Sequence, residues 1–439
     1  MPLNTTIKSG YKQTEAGMIP AEWEVRSLRD IVDFANGKPH EGDVRPNGRY
    51  FLITLDSIGI DGKLKTEHKQ TDVWDYSLQK NDIVSVLSDI AHGNLLGLCD
   101  LIPEDNKYVL NQRMGRLRIK VSAIPQFVRL QINRRQDHFR MRGQGTSQRH
   151  IYRRDFDSLV IPFPPENEQR VVVDALSDAD ALLDALEELI AKKRDLKQAA
   201  MQQLLTGKQR LPSFGRANAG FKQTEAGVIP EDWDVDAIGD LFSISGGFSA
   251  SRDQLGTDGY CYLHYGDIHK SAKSFVDVSA EYSEIPKLNI PLRRVSSKSL
   301  LATGDVVFVD ASEDDEGTSR HIVVINKKEL PYISGLHTIV AKSKSTSLDN
   351  TYKRYCFQTR DVKRQFYYYA VGTKVSGVSK TTIKKIFIPH PSLPEQRAIA
   401  AILSDMDGEI EALEQRRDKT HALKQGMMQE LLTGNTRLI

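Results

Sequence analysis

Two stretches of the chain are rich in side chains that bind phosphate and read base edges. Segment 107–154 contains thirteen Lys and Arg against a single acid, Asp137; among them are Arg113, Arg116, Arg134, Arg135, Arg140, Arg142 and Arg149. Segment 352–386 contains nine, among them Lys363, Arg364, Lys374 and Lys380, against Asp361 alone. Such excesses point to a polyanion, and nucleic acid is the natural one. Inside each stretch lies a glycine-bearing polar loop. The first presents Arg142, Gln144, Thr146, Ser147, Gln148 and Arg149, and the second presents Thr373, Lys374, Ser376, Ser379, Lys380 and Thr381. Glycine lets backbone approach a groove closely, and these side chains are donors and acceptors of the kind that discriminate bases. Arg113, Arg116, Arg134, Arg135, Arg140, Lys363 and Arg364 are then expected as phosphate anchors, which position without specifying. A hairpin turn and a solvated basic face are the structural alternatives. Tyr367, Tyr368 and Tyr369 could stack on bases, although alternating core and surface positions at a helix end explain them more simply.

Bond-making chemistry has no comparable signature. The chain has no phosphate loop of the Gly-x-x-x-x-Gly-Lys type, no Gly-x-Gly-x-x-Gly, and no Asn/Asp-Pro-Pro-Tyr/Phe tetrapeptide of an amino-group methyltransferase. The run Glu313-Asp314-Asp315-Glu316 reads as a charged turn rather than a metal site, and the histidines are scattered. Cys99, Cys261 and Cys356 are too far apart for a zinc spacing, and as buried thiols they fit a reducing cytoplasm. No apolar run is long enough to span a bilayer, and the N-terminus lacks an apolar signal core. With 39% hydrophobic and 27% charged residues in 439, the composition is that of a globular protein of several domains.

What must position the loops is visible as an internal repeat. GYKQTEAGMIPAEWEVRSLRDI (10–31) matches GFKQTEAGVIPEDWDVDAIGDL (220–241) at 12 of 22 positions. Residues 168–207 match 395–434 at 20 of 40 positions without a gap, the register reaching back to Gly145-Thr146 and Gly372-Thr373. Between the matched pieces, 32–144 and 242–371 share almost nothing. The chain is a duplicated frame with two dissimilar inserts. Short β-branched runs such as 49–55, 82–87, 305–309 and 321–325 make the inserts β-rich, with one helix each near 123–139 and 350–369.

The second repeat carries apolar residues in steps of three and four. Leu182, Leu186, Leu189 and Leu196 form a heptad stripe in the first copy, interrupted at Lys193; Ile402, Met406, Leu413 and Leu423 follow in the second. Gly207 stands where a glycine would terminate the first helix. Helices of about 40 residues reach roughly 60 Å, and each is the nearest partner for the other. The predicted fold is therefore α+β, with two β-rich domains in pseudo-twofold relation and two long antiparallel coiled-coil helices between them. The divisions expected are 1–165 and 220–391 for the β-rich domains, 166–207 and 392–439 for the helices, and 208–219 for the linker. Unlike the inserts, 166–206 has nine acids against five bases.

Taken together these residues resemble the specificity subunit of type I restriction-modification systems. The likeness lies in the TEAG-x-IP-x-x-W entries (Thr14 to Trp23, Thr224 to Trp233), the Gly-Thr loops leading through Ile-Pro-x-Pro to Glu-Gln-Arg, and the helices ending Leu-Leu-Thr-Gly. It implies two target-recognition domains, each reading half of a split asymmetric DNA site, and helices that set the spacing. It also implies two docked DNA methyltransferase subunits that bring S-adenosylmethionine and methylate adenine N6. Restriction/translocase subunits would bring ATP and Mg²⁺, leaving this chain without cofactor, metal or catalytic residue. Three rivals stand beside that reading: the recognition subunit of a two-subunit enzyme with methylation and cleavage fused in one partner, an enzyme with its own site, and a non-DNA scaffold. The resemblance makes a geometric prediction. Four residues added to one helix lengthen it by about 6 Å, close to two base-pair rises of about 3.4 Å. Methylation mapping of that variant should return a wider gap between unchanged half-sites; changed half-sites would refute the ruler.

Overall fold

The computed structural model describes residues 9–75, 77–90, 93–215, 220–271, 273–312, 319–370 and 376–438. The chain divides into two compact units, residues 1–187 with 415–439, and residues 188–414. Each unit thus takes one insert, one stretch of each long helix, and one entry hairpin.

In the first unit the hairpin Tyr11–Thr14/Gly17–Pro20 leads to Glu24–Ser27, which pairs antiparallel with Val160–Phe163. An antiparallel sheet follows in the order Val32–Asn36, Met114–Ile119, Ile83–Val86, Cys99–Leu101. A smaller sheet sets Tyr50–Ile53 parallel to Tyr108–Leu110 and antiparallel to Lys69–Thr71. The second unit repeats the plan. Its hairpin is Phe221–Thr224/Gly227–Pro230, and Asp234–Ala237 pairs with Phe387–His390. Its larger sheet runs Phe242–Gly246, Thr338–Ser343, Val306–Val309, His321–Ile325, with Phe275–Asp277 added at the edge. Tyr260–Leu263 again lies parallel to Tyr332–Ser334. Inserts without recognisable sequence likeness therefore share one topology. What they keep in common is the order of β-branched runs; Val306–Val309 and Ile83–Val86 are buried at all four positions.

The helices near 123–139 and 350–369 are each split. The first becomes Pro125–Arg134 and Gln136–Arg142, broken where Arg135 leaves helical backbone at φ −102°, ψ 38°. The second becomes Lys353–Cys356 and Arg360–Tyr369, restarted by Thr359, whose hydroxyl accepts from the Val362 amide at 3.3 Å.

The long helices span Glu166–Leu204 and Leu393–Leu431. In each unit their stretches run antiparallel. In the first, Lys424 donates to Asp180 at 2.6 Å, and Val172, Val173 and Leu176 pack with Leu431 and Leu432. In the second, Lys193 pairs with Glu409 at 2.6 Å, and Lys197 pairs with Asp407. The seam is phased differently from the heptad stripe read in the sequence. Leu176, Leu183, Leu186 and Ile190 are buried, whereas Leu182, Leu189 and Leu196 are 39%, 39% and 49% exposed. Ile402 and Leu423 are likewise exposed, Met406 and Leu413 are half-buried, and Leu403 and Ile410 take the inner positions. Both 182/183 and 189/190 are apolar pairs, so either phase buries leucine. Packing on the insert cores selects the phase: Leu403, Met201 and Leu204 join the core of the second unit.

Each unit is locked by the same triad of elements. Trp23 and Trp233 are 1% exposed. Gly207 and Gly434, at φ +66° and +72°, let the helix ends approach Pro230 and Pro20; a Cβ there would sit 2.4 and 2.5 Å from the proline rings. Arg210 then joins Asp232 at 2.8 Å and Glu395 at 2.7 Å, and Arg437 joins Glu168 and Glu22. Glu395 is only 2% exposed in its side chain. Arg210→Ala should therefore cost about 3–5 kcal/mol by leaving a buried carboxylate unpaired, measured as a lowered denaturant midpoint. A change within about 0.5 kcal/mol would show that the pair does not hold the unit.

Candidate nucleic-acid interface

In the first unit the polar loop is built as a closed turn on a two-stranded ribbon. Gln148–His150 pairs antiparallel with Ser88–Ile90, placing Gln148 opposite Ile90, Arg149 opposite Asp89 and His150 opposite Ser88. Gln144 and His150 exchange both backbone hydrogen bonds, at 2.9 and 2.8 Å. Gly145 has φ +117°, and a Cβ there would lie 2.0 Å from the Gln148 carbonyl oxygen, so only glycine closes this turn. The result is a fixed tip that exposes Gln144, Thr146 and Ser147, with Gln148 and Arg149 half-exposed on the strand behind it. Arg149 leans on the Arg140 carbonyl at 3.4 Å, and Arg142 is exposed with a 3.2 Å bond to the His138 carbonyl. Arg113, at φ +67°, is exposed; its carbonyl accepts from the Leu87 amide, immediately before the ribbon.

Beyond the ribbon, Tyr152 starts the short helix Arg153–Asp157, its amide donating to Asp155 at 2.7 Å. The Arg154 guanidinium lies 5.3 Å over the Tyr152 ring. Gln144, Tyr152, Arg153 and Arg154 line an open cavity of about 340 Å³. Tyr152, Arg153, Arg154 and Ile90 were not singled out in the sequence. The two arginines lay within the counted basic stretch, but the ribbon that brings Ile90 to the loop is a pairing across 58 residues with no local signal.

Other basic residues are tied into the fold or partly withdrawn from solvent. Arg116 donates to Asp33 at 2.7 Å and to the Ser77 carbonyl at 3.4 Å, with 14% of its side chain exposed. Arg134 and Arg135 are half-buried, and burial holds both guanidinium pKa values below the usual arginine range; Arg134 also feels the charge of Arg135. Arg135 donates to the Ala16 carbonyl at 2.7 Å, tying the helix to the entry hairpin. Arg140 is half-exposed beside Asp137 at 3.9 Å. Arg116 and Arg135 thus spend guanidinium donors within the first unit, and part of the Arg134 guanidinium is buried.

The second unit builds a matching ribbon, with Ala311–Ser312 antiparallel to Ser376–Gly377. Thr373, Lys374 and the acidic run 313–316 lie outside the described residues, and Ser376 is described by its strand alone. Ser379 and Thr382 close a turn by reciprocal bonds of 2.9 and 3.0 Å, exposing Lys380 and Thr381. The repeat offset of 227 aligns Lys380 with Arg153, and both stand on the short segment after the ribbon. On Arg360–Tyr369 the inner face is Val362 and Phe366, and Tyr368 is 81% exposed. The helix flanks a cleft of about 670 Å³ that gathers Lys208, Arg360, Lys363 and Arg364 around one acid, Asp361. Asp361 is 3.4 Å from Arg364. Lys208 was absent from the sequence-based set, and Arg360 was counted there only within the basic stretch, because the cleft forms only where the helix end and the insert meet. Among the described residues no group of three or more His, Cys, Asp or Glu is gathered for a metal, and no helix is long and apolar enough to cross a membrane.

A family model described as "Type I restriction modification DNA specificity domain" matches residues 20–197 and again 230–420, well over half the chain. The chain belongs to the type I restriction-modification DNA specificity family. It is a specificity subunit with two target-recognition domains, as the sequence motifs had implied. It is 27% identical to the putative type I restriction enzyme MjaX specificity subunit of Methanocaldococcus jannaschii, covering 98% of this chain and 97% of the relative. The MjaVIII specificity subunit of the same organism is 24% identical over the same shares. The fold matches the crystal structure of a type I S subunit from M. genitalium, with TM-score 0.55, 14% identity and 98% of both chains covered. A structure reported for complex assembly and conformational transition of a type I system gives 0.53 at 16% identity, covering 95% of this chain and 99% of the other.

For this specificity subunit, the double variant Lys363→Ala/Arg364→Ala should weaken binding almost equally to all duplexes. It should also lower the slope of log affinity against log salt by about two. A loss confined to one target sequence would assign these residues to base reading instead.

Proposed function

We propose that each unit reads one half of a bipartite, asymmetric DNA site, and that the long helices set the half-site separation and dock two DNA methyltransferase subunits. One observation carries this reading. Two inserts without sequence likeness adopt one topology, and each presents a two-stranded ribbon in a unit that carries exposed or half-exposed cationic side chains. A common scaffold with different surface residues is what two different half-sites require. In the first unit the readers are Gln144, Thr146, Ser147, Gln148 and Arg149, with Arg113, Arg140, Arg142, Arg153 and Arg154 toward phosphate. In the second they are Thr373, Lys374, Ser376, Ser379, Lys380 and Thr381, with Lys363 and Arg364 toward phosphate.

Each unit leaves apolar residues exposed on its own helix stretches for docking, Leu182 and Leu423 in the first and Leu189, Leu196 and Ile402 in the second. Leu182, Leu189 and Leu196 recur every seven residues, and Ile402 and Leu423 are exposed on the second helix. Leucines at heptad spacing outside the seam suit a helical partner. Methyl transfer with S-adenosylmethionine, and translocation and cleavage with ATP and Mg²⁺, belong in this reading to the partner subunits, and the complex works in the cytoplasm. The alternative assembly fuses methylation and cleavage in one partner chain, and the same recognition surfaces serve it unchanged.

Replacing residues 32–144 by another insert of the same topology, in the complete complex, should change one half of the methylated motif. The other half and the spacing should remain, as read by single-molecule methylome sequencing. An unchanged motif would sink the assignment of half-sites to units.

A further inference from the structure

Near the first reading loop most large apolar side chains are buried or half-buried; the exceptions are Met141, Tyr152 and Ile90. One exception stands directly across the ribbon from a predicted base reader. Ile90 is 72% exposed at the end of Ser88–Ile90 and pairs with Gln148 in the antiparallel register. Residues opposite one another in such a ladder project from the same face with Cβ atoms about 4.5–5.5 Å apart. Two positions back on that face, Ser88 is buried and its hydroxyl is 3.0 Å from His150 Nδ1, so the face is anchored at its base and open at its tip. The alternate face carries Asp89 and Arg149. There Asp89 receives the Ile90 and Leu95 amides at 2.8 and 2.9 Å, and Arg149 reaches the Arg140 carbonyl. These bonds fix the direction in which Ile90 and Gln148 point. Among the described residues the Gln148 amide has no hydrogen-bond partner within the protein.

A two-stranded ribbon of this kind is one of the elements that the major groove admits. There a glutamine matches adenine through N6 and N7, and an apolar side chain matches the thymine methyl group. An exposed isoleucine beside an unengaged glutamine is the chemistry of an A·T pair viewed from that groove. We propose that Gln148 and Ile90 act as one specificity-determining pair, Gln148 on an adenine and Ile90 on the methyl of a thymine. The Cβ separation against a base-pair rise of about 3.4 Å places the two bases in the same or adjacent base pairs. The inference rests on the reading of the first unit as a DNA half-site reader and names two of its contacts. It assigns Ile90 a base contact that neither its residue type nor its neighbours in sequence announce.

The test uses the assembled complex with its methyltransferase partners and duplexes bearing the mapped site, each thymine replaced singly by uracil. Removing one buried methyl contact should lower wild-type affinity about fourfold at one uracil position of the half-site read by the first unit. That penalty should vanish in Ile90→Ala and return in Ile90→Val. Replacing the partner adenine by 7-deazaadenine, which lacks N7, should cost about tenfold with wild type and little with Gln148→Ala. The most sensitive adenine should lie in the same base pair as that thymine or the next one. Equal uracil penalties in wild type and Ile90→Ala overturn the contact. So does a position-specific rise in 2-aminopurine fluorescence that depends on Ile90, which would make the side chain an intercalating wedge. So, too, does a sequence-independent loss of binding in both variants. Failure of the underlying reading looks different: the wild-type complex would then show no sequence preference at all, and no salt dependence of its DNA binding.

Discussion

The charge clamp at each helix end is the interaction on which the rest depends. In the second unit Arg210, just past the end of one long helix, holds Glu395 in the first turn of the other and Asp232 beside the entry tryptophan. In the first unit Arg437 holds Glu168 and Glu22 in the same way, and Trp23 donates its indole N–H to Glu168 at 3.0 Å. A carboxylate this far from water is stable only while paired. Helix end, helix start and entry hairpin are therefore bound into one knot per unit, and the insert grows out of that knot at a defined place.

From this constraint follows the freedom of the inserts. Their cores need only apolar runs in a fixed order, as the shared sheet order shows, so surface residues are free to differ. The basic excess of the sequence divides accordingly. Arg116 and Arg135 hold sheet and hairpin in place, while Arg142, Arg149 and Lys380 stand on or next to the ribbons and turns. Counting charge along the chain cannot separate these classes, because a guanidinium that braces the sheet or hairpin and one that stands at a ribbon or turn have the same residue type.

A similar division runs along the long helices. A leucine at 182 and another at 183 satisfy the same local pattern, and the helix itself is indifferent to which is buried. The insert cores decide, by supplying partners for Met201, Leu204 and Leu403. The leucines left outside become surface that a partner subunit can use.

The duplication, the two long helices, the glycine stops and the glycine turn at Gly145 were legible from the sequence, since each is a local pattern or a match of chain to chain. Repetition also revealed the frame, because it survives without reference to space. The common topology of the inserts, the phase of the helical seam, the cleft around Lys208 and Arg360, and the meeting of Ile90 with Gln148 were decided only by tertiary structure. Each of these depends on contacts between residues tens to hundreds of positions apart. Such contacts are set by the packing of whole faces, and no local spacing of residue types encodes them.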